Sequence, residues 1–210
     1  MAKKATARAY HHGSLREALI EATLELIEEG GPEAVSVREA ARRAGVSPGA
    51  PFRHFPNRTT LMTAVAEQAT HRLHRAIFEA VGKAKAEGPL ERLRAMGRAY
   101  LRWALDNPTH FAVASNRSLI DYESSESMKR ENGELQALMS RLLQEAQRQG
   151  EARNVEPATM LLAARGLVYG LARMRVDGHL PQWGVRRGRS ARALESALDL
   201  FVSGLARSPK

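Results

Sequence analysis

The sequence predicts an all-α fold: a short N-terminal helix-turn-helix unit followed by a longer helical domain. The first reason is composition. The 210 residues include 34 Ala and 24 Leu against 4 Ile and 11 Val, and aromatics make up 5%. Ala and Leu are strong helix formers, whereas strands favour β-branched and aromatic residues. The second reason is punctuation, because Gly-Gly-Pro, Gly-Pro and Asn-Pro breaks separate stretches of helical periodicity. The third is the S-x-x-E form at Ser14 and again at Ser36, in which a side chain at each end of the first turn satisfies an orphan helix-start donor.

In order along the chain, Ser14-Leu15-Arg16-Glu17 opens a helix with Leu15, Ala18, Leu19, Ala22 and Leu26 on one face, and Gly30-Gly31-Pro32 ends it. Ser36 opens a short helix through Ala44, with Gly45-Val46 as a tight turn. Ser47 is expected to cap a third helix. Pro48 suits its first position, Pro51 removes an amide just past the first turn, and Pro56 closes it. Asn57 caps a long helix that runs to Val81 or Glu87. Gly88-Pro89 marks the boundary between residues 1–60 with the connecting helix 61–88 and a C-terminal domain of residues 89–210. That domain should hold helices over Leu90–Leu105, a short turn or helix after Asn107-Pro108, Glu134–Gln149, Pro157–Val176 and a last helix capped by Ser190. Asp121–Gly133 reads as a polar loop or frayed start, and Gly178–Gly188 as a loop.

Charge gives the first hint of a partner. Lys and Arg outnumber Asp and Glu by 32 to 23, a net +9. Residues 36–60 carry Arg38, Arg42, Arg43, Arg53 and Arg58 against Glu39 alone, whereas residues 17–35 carry six Glu and no base. A Gly-turned helical hairpin is common in structural bundles, but this charge swing turns the second and third helices toward an anion. Double-stranded DNA is the expected partner.

Several other classes are excluded or weighed down. The absence of Cys removes disulfides, Cys-ligated zinc, iron–sulfur clusters and thiol nucleophiles. No nucleophile elbow, Walker loop or Rossmann glycine pattern appears. No catalytic residues, metal or cofactor are therefore expected, and an enzyme is the weaker reading. His11-His12 reads as part of a polar arm, and His71-x-x-His74 as a solvated or packed pair without the Glu of a zinc protease. The basic N-terminus has no apolar core of a secretory signal, and Arg165 and Arg173 interrupt the apolar stretch Ala158–Met174. No membrane partner is expected, and a cytoplasmic location is.

Residues 14–61 resemble the tetracycline-repressor-like (TetR) family of bacterial transcriptional regulators. The likeness is carried by GPEAVSVREAARRAGVSPGAPFRHFPNRTTL, in which helix lengths, turn, caps and the R-H-F-P-N-R close follow in order. Further on, Arg165-Gly-Leu-Val-Tyr169-Gly170 resembles a modified form of the Trp-x-x-x-His-Gly signature of one class of TetR C-terminal domains, with only Gly170 matching. The resemblance implies a homodimeric repressor with an effector site in its C-terminal domain; an effector-independent DNA binder is the alternative.

On that basis Ser47, Pro48, Gly49, Ala50, Phe52, Arg53 and His54 form the DNA-reading segment. Gly49 and Ala50 have almost no side chain, so the segment can sit deep in a major groove, with Arg53 at a base edge. Arg38 and Arg58 would hold phosphates. Phe52 stands where the family usually has a phosphate-binding Tyr. Trp103, Phe111, Met139 and Tyr169 lie on apolar faces of different helices and are expected to line one cavity for a small hydrophobic effector, with Tyr169 as a hydrogen-bonding anchor. Arg165 is read either as a structural ion pair or as the partner of an anionic effector. Gly166 and Gly170 would let helices approach closely, packing with Leu194, Leu198 and Phe201 across a dimer two-fold.

Overall fold

The computed structural model describes residues 15–207. Eight α-helices account for most of these residues: α1 Leu15–Gly30, α2 Val37–Arg43, α3 Arg58–Lys83, α4 Pro89–Asp106, α5 Pro108–Ala114, α6 Glu126–Arg148, α7 Pro157–Val176 and α8 Ser190–Leu205. Short 3₁₀ turns at Pro32–Ala34, Pro51–Arg53, Leu180–Trp183 and Arg187–Arg189 join some of them. The Ser14–Glu17 box and the His11-His12 pair lie partly or wholly outside the described residues.

Two caps act as read. The Ser36 hydroxyl accepts from the Glu39 N–H at 3.1 Å, and the Asn57 side chain accepts from the Thr60 N–H at 2.9 Å while Thr60 Oγ1 answers the Asn57 N–H at 3.4 Å. At Ser36 the reciprocal arm is diverted, because Glu39 pairs with Arg42 instead.

Three expectations need correction. The third helix is absent. Residues 48–54 form turns around a single 3₁₀ segment, Pro51–Arg53, with no side-chain cap from Ser47. The reason is Pro51, whose missing N–H deletes the first i→i−4 bond a helix capped at Ser47 would make. Instead the Ala50 N–H bonds to the Ser47 carbonyl at 3.1 Å, and the His54 and Phe55 N–H groups both reach the Pro51 carbonyl. The second correction is α6, which begins at Glu126 and not Glu134. Ser125 caps it by accepting from the Met128 N–H, and buried Met128 and Glu131 anchor its polar first turns. The third is Ser190, which is the first residue of α8; Arg189 precedes it as the cap position.

Two apolar cores share α3. The N-terminal core gathers Leu19, Ile20, Leu24, Ile27 and Ala40 with Phe55, Leu61, Met62 and Val65. It is completed from downstream by Val113, Leu119, Ile120 and Met128, so the small head is not closed by its own residues. The larger core takes Ala69, Ile77 and Val81 of the same α3 and packs them against α4, α6, α7 and α8. Between them α3 meets α6 through two hydrogen-bonded histidines: His71 Nδ1 lies 2.9 Å from the buried Glu131 carboxylate, and His74 Nε2 lies 2.7 Å from Glu134. His74 is half-buried against α6 whereas His71 stays exposed, so each histidine is held by its own glutamate.

The α4–α8 contact is close. A Cβ at Gly97 would lie 2.7 and 2.9 Å from the two Leu198 methyl carbons. Asp199 on α8 accepts from Arg94 and Arg98 of α4, both at 2.9 Å, and the Arg94 hydrogen bond holds its carboxyl below the ordinary value. Among the described residues no helix is long and apolar enough to cross a membrane.

Candidate functional site

The helix-turn-helix segment is positioned from both sides. Pro51 and Phe55 are buried in the N-terminal core and hold the 3₁₀ turn down. Ser47, Pro48, Gly49, Phe52, Arg53 and His54 are left exposed, and Ala50 half-buried. Phe52, at 41% exposure, is a large apolar ring facing water. Gly45 takes φ +69° in the turn before the segment, a backbone region that side chains rarely adopt. Nothing lies within 4 Å of a Cβ built at Gly49, so the chain presents bare backbone there.

The basic residues divide into two groups. Arg43 is drawn onto α1, where Nη1 donates to Glu29 at 2.8 Å and Glu25 at 3.3 Å. That hydrogen bond keeps the Glu29 carboxyl below its ordinary value. Arg42 pairs with Glu39. The acidic first helix thus neutralises part of the local positive charge, which the linear sequence could not show. Arg38 and Arg53 are exposed, and among the described residues neither has an acidic partner. Arg58 is committed to structure: its guanidinium donates to the Pro32 carbonyl at 2.9 Å and the Val35 carbonyl at 3.2 Å, tying α3 to the α1–α2 connection.

The second feature is a cavity of about 520 Å³ in the C-terminal domain. Its wall is mainly apolar and includes Leu73, Leu93, Met96 and Val168. Trp103, Phe111, Met139 and Arg165, predicted to meet there, do line it. Tyr169 does not. Its ring packs on Phe111 with 6.1 Å between centroids, and its hydroxyl is 3.5 Å from the Ser115 carbonyl. The sequence placed it by helical periodicity alone, which does not say which neighbour the hydroxyl meets. Tyr100, Arg117, Tyr122, Asn132 and Gln136 are wall residues the sequence reading did not single out. Tyr100 carried a signal, because it lies on the apolar side of α4. Arg117 and Tyr122 did not, since an irregular segment has no period to read. The Arg165 guanidinium stacks over Tyr100 at 4.9 Å. Burial pushes the Tyr100 hydroxyl above its ordinary value, and the Arg165 charge opposes that rise.

The expected dimer residues also divide. Leu194 and Leu198 are 1% and 3% exposed and belong to the intramolecular core. Leu198 meets Gly97 of its own chain, so neither leucine is available to a partner. Phe201 is half-buried and lines the cavity. Gly166 is exposed and Gly170 half-buried, with open space where each Cβ would sit. The large apolar side chains that do face solvent on α7 and α8 are Leu162, which also borders the cavity, and Leu200, 75% and 76% exposed. Leu162 lies one turn before Gly166 on the same face of α7, whereas Leu200 lies on the opposite side of α8 from Leu198.

Comparison with known proteins agrees with this two-part architecture. A family model described as "Bacterial regulatory proteins, tetR family" matches residues 19–65, and one described as "Tetracyclin repressor-like, C-terminal domain" matches residues 93–200. The HTH-type transcriptional repressor KstR of Rhodococcus jostii is 32% identical over 115 residues, half of this chain and 52% of that protein. The HTH-type transcriptional repressor Rv3405c of Mycobacterium tuberculosis is 34% identical over 89 residues, 42% of this chain and 46% of that one. The chain thus spans about half the length of the curated relatives it matches. A solved structure of a protein with unknown function from Rhodococcus sp. RHA1 aligns over 96% of this chain and all of that one, at 29% identity and TM-score 0.77. KstR2 of Mycobacterium tuberculosis shares the fold at TM-score 0.70 and 17% identity, over 93% of this chain and 97% of that one. With one model over the helix-turn-helix head and the other over the cavity-bearing domain, the chain belongs to the tetR family of bacterial regulatory proteins, which are DNA-binding transcriptional regulators and not enzymes.

Proposed function

We propose that this regulator is a homodimeric repressor that binds a pseudo-palindromic operator and is released by a small, largely hydrophobic effector. Its place of work would be the cytoplasm, beside the chromosome. The observation that carries the reading is the position of α5 between the two features. Phe111 lines the cavity, and Val113, two residues on, is fully buried in the core of the DNA-reading head. At the start of α5, Thr109 Oγ1 donates to Glu28 of α1 at 3.2 Å. A ligand that displaces Phe111 therefore pushes on the head through a seven-residue helix, while α3 runs through both cores alongside it. Packed elements of this kind shift between discrete arrangements and do not deform continuously.

In the DNA-bound form the exposed segment Ser47–His54 would lie in the major groove, with bare backbone at Gly49 allowing close approach. Arg53 would meet a base edge and Arg38 a phosphate. The dimer would close through the α7–α8 face, with Leu162 and Leu200 beside Gly166 and Gly170, and with Phe201 at its edge. A two-fold axis there sets two copies of the reading segment for a palindrome.

The test begins with selection of bound sequences from random duplexes, followed by anisotropy titrations on the selected site. Arg53→Ala should relax one position per half-site at a cost of about 1–3 kcal/mol per contact. Equal losses on selected and random DNA would remove the base-reading role. For the effector, affinity must differ with and without operator; a tenfold difference corresponds to about 1.4 kcal/mol of coupling.

A further inference from the structure

The cavity wall contains two charged residues, Arg117 and Arg165, and no Asp or Glu. Both arginines are exposed at its rim. Among the described residues of this domain Arg130, Arg141 and Arg175, on exposed helix surface, also have no acidic partner, but the arginines packed between helices find acids. All four on α4 do so: Arg92 with Glu145, Arg94 with Glu91 and Asp199, Arg98 with Asp199, and Arg102 with Glu195. Arg173 of α7 pairs with Asp177. Arg117 and Arg165 instead lie over aromatic faces, Arg117 over Tyr122 at 3.4 Å and Arg165 over Tyr100 at 4.9 Å. A guanidinium lying on a ring face can still turn edge donors to a planar anion, though Arg165 also reaches the Tyr100 hydroxyl.

A second, independent group inside the cavity also lacks a partner. Trp103 is 7% exposed and lines the wall, and among the described residues its indole Nε1 meets no acceptor. Buried indole N–H groups normally have one, because leaving a donor unpaired in an apolar setting is costly. The cavity therefore offers an apolar volume, one unsatisfied donor deep in its wall and two unpaired cations at its rim.

We propose that the cavity takes an anionic amphiphile: an apolar body, an oxygen that accepts from Trp103 Nε1, and an anionic head gripped by Arg165 and Arg117. The inference rests on the effector reading above and names the ligand class for that same site. A volume of about 520 Å³ is in the range of cavities that hold ligands of drug size. The mainly apolar wall disfavours a fully polar ligand, and the absence of Asp and Glu from the wall disfavours a cationic one.

The test uses three probes of one chain length: decanoate, methyl decanoate and decylamine. Binding is read by calorimetry and by Trp103 emission in a Trp183→Phe background, which removes the other tryptophan. Decanoate should bind about tenfold or more tightly than its ester, since a charge-assisted hydrogen bond is lost in the ester. Decylamine should bind weakest. Arg165→Gln and Arg117→Gln should each erase part of the acid preference and leave the ester unchanged, with helicity and dimer mass intact. Trp103→Phe should weaken acid and ester alike, because both carry the acceptor oxygen. Equal affinity for acid and ester in the wild type, or no binding of either, overturns the proposal. An Arg165→Gln variant that loosens the dimer while keeping the full acid preference overturns the assignment of that arginine. The effector reading is judged separately by operator release. Acid-selective binding that leaves operator affinity untouched upholds the ligand class and removes the effector role. Release of the operator by ester and acid at equal affinity does the reverse.

Discussion

His110→Gln tests the physics of the joint between head and cavity. His110 sits on α5, 8% exposed, with Nε2 3.0 Å from Gln68 Oε1 and 3.4 Å from Arg72 Nη1. Burial, and then the Arg72 charge, push its pKa down from 6.5 to about 4. The folded state therefore holds a neutral imidazole through the range in which the unfolded chain takes up a proton. A depressed pKa of this kind gives stability that is present in full above pH 6.5 and is lost as pH falls toward 4. At about pH 7.5 the two states differ little in protonation. At about pH 5 the unfolded histidine is charged and the folded one is not, and integrating between these limits gives about 2 kcal/mol lost through this residue alone. Urea unfolding of the wild type and His110→Gln at both pH values isolates this contribution, because every other titratable group is common to both. The wild type should lose about 2 kcal/mol more than the variant on acidification. Equal losses would show that burial and Arg72 do not hold His110 neutral.

Three further outcomes follow from named contacts. Gly97→Val should destabilise by about 1–3 kcal/mol in urea melts, because its side chain would drive into Leu198 at the α4–α8 seam; a variant as stable as wild type would mean the helices part freely. Leu162→Asp and Leu200→Asp should leave helicity unchanged and give a monomer in sedimentation, whereas Leu198→Asp should unfold the domain, since it buries a charge in the core. Arg58→Ala should cost about 1–2 kcal/mol of stability through its lost bonds to the Pro32 and Val35 carbonyls. If it also holds a phosphate, the salt slope of DNA binding falls by about 1 per half-site; an unchanged slope leaves it a purely structural tie.

What the linear sequence determined was local and periodic. Composition and breaker spacing marked the all-α class, the long α3 and the ends of α4 and α7, because helix propensity and capping act within a few residues. The family likeness was legible for the same reason: the helix-turn-helix is a continuous stretch whose turn glycine, caps and prolines act on their neighbours. The local weakness at Pro51 was also readable, though its outcome, a 3₁₀ turn in place of a helix, needed the core to say where Pro51 and Phe55 would be buried. Tertiary structure decided everything that depends on a partner far along the chain. It turned Arg43 onto Glu25 and Glu29, and Arg58 onto two backbone carbonyls. It packed Leu194 and Leu198 into their own chain's core and left Leu162 and Leu200 outside, a choice between a partner within the chain and one across a dimer that periodicity cannot make. It brought Arg117 and Tyr122 from an irregular segment to a cavity whose other walls lie on helices before and after it. Period and propensity act along the chain, whereas charge pairing and burial are settled only when segments distant in sequence are pressed together.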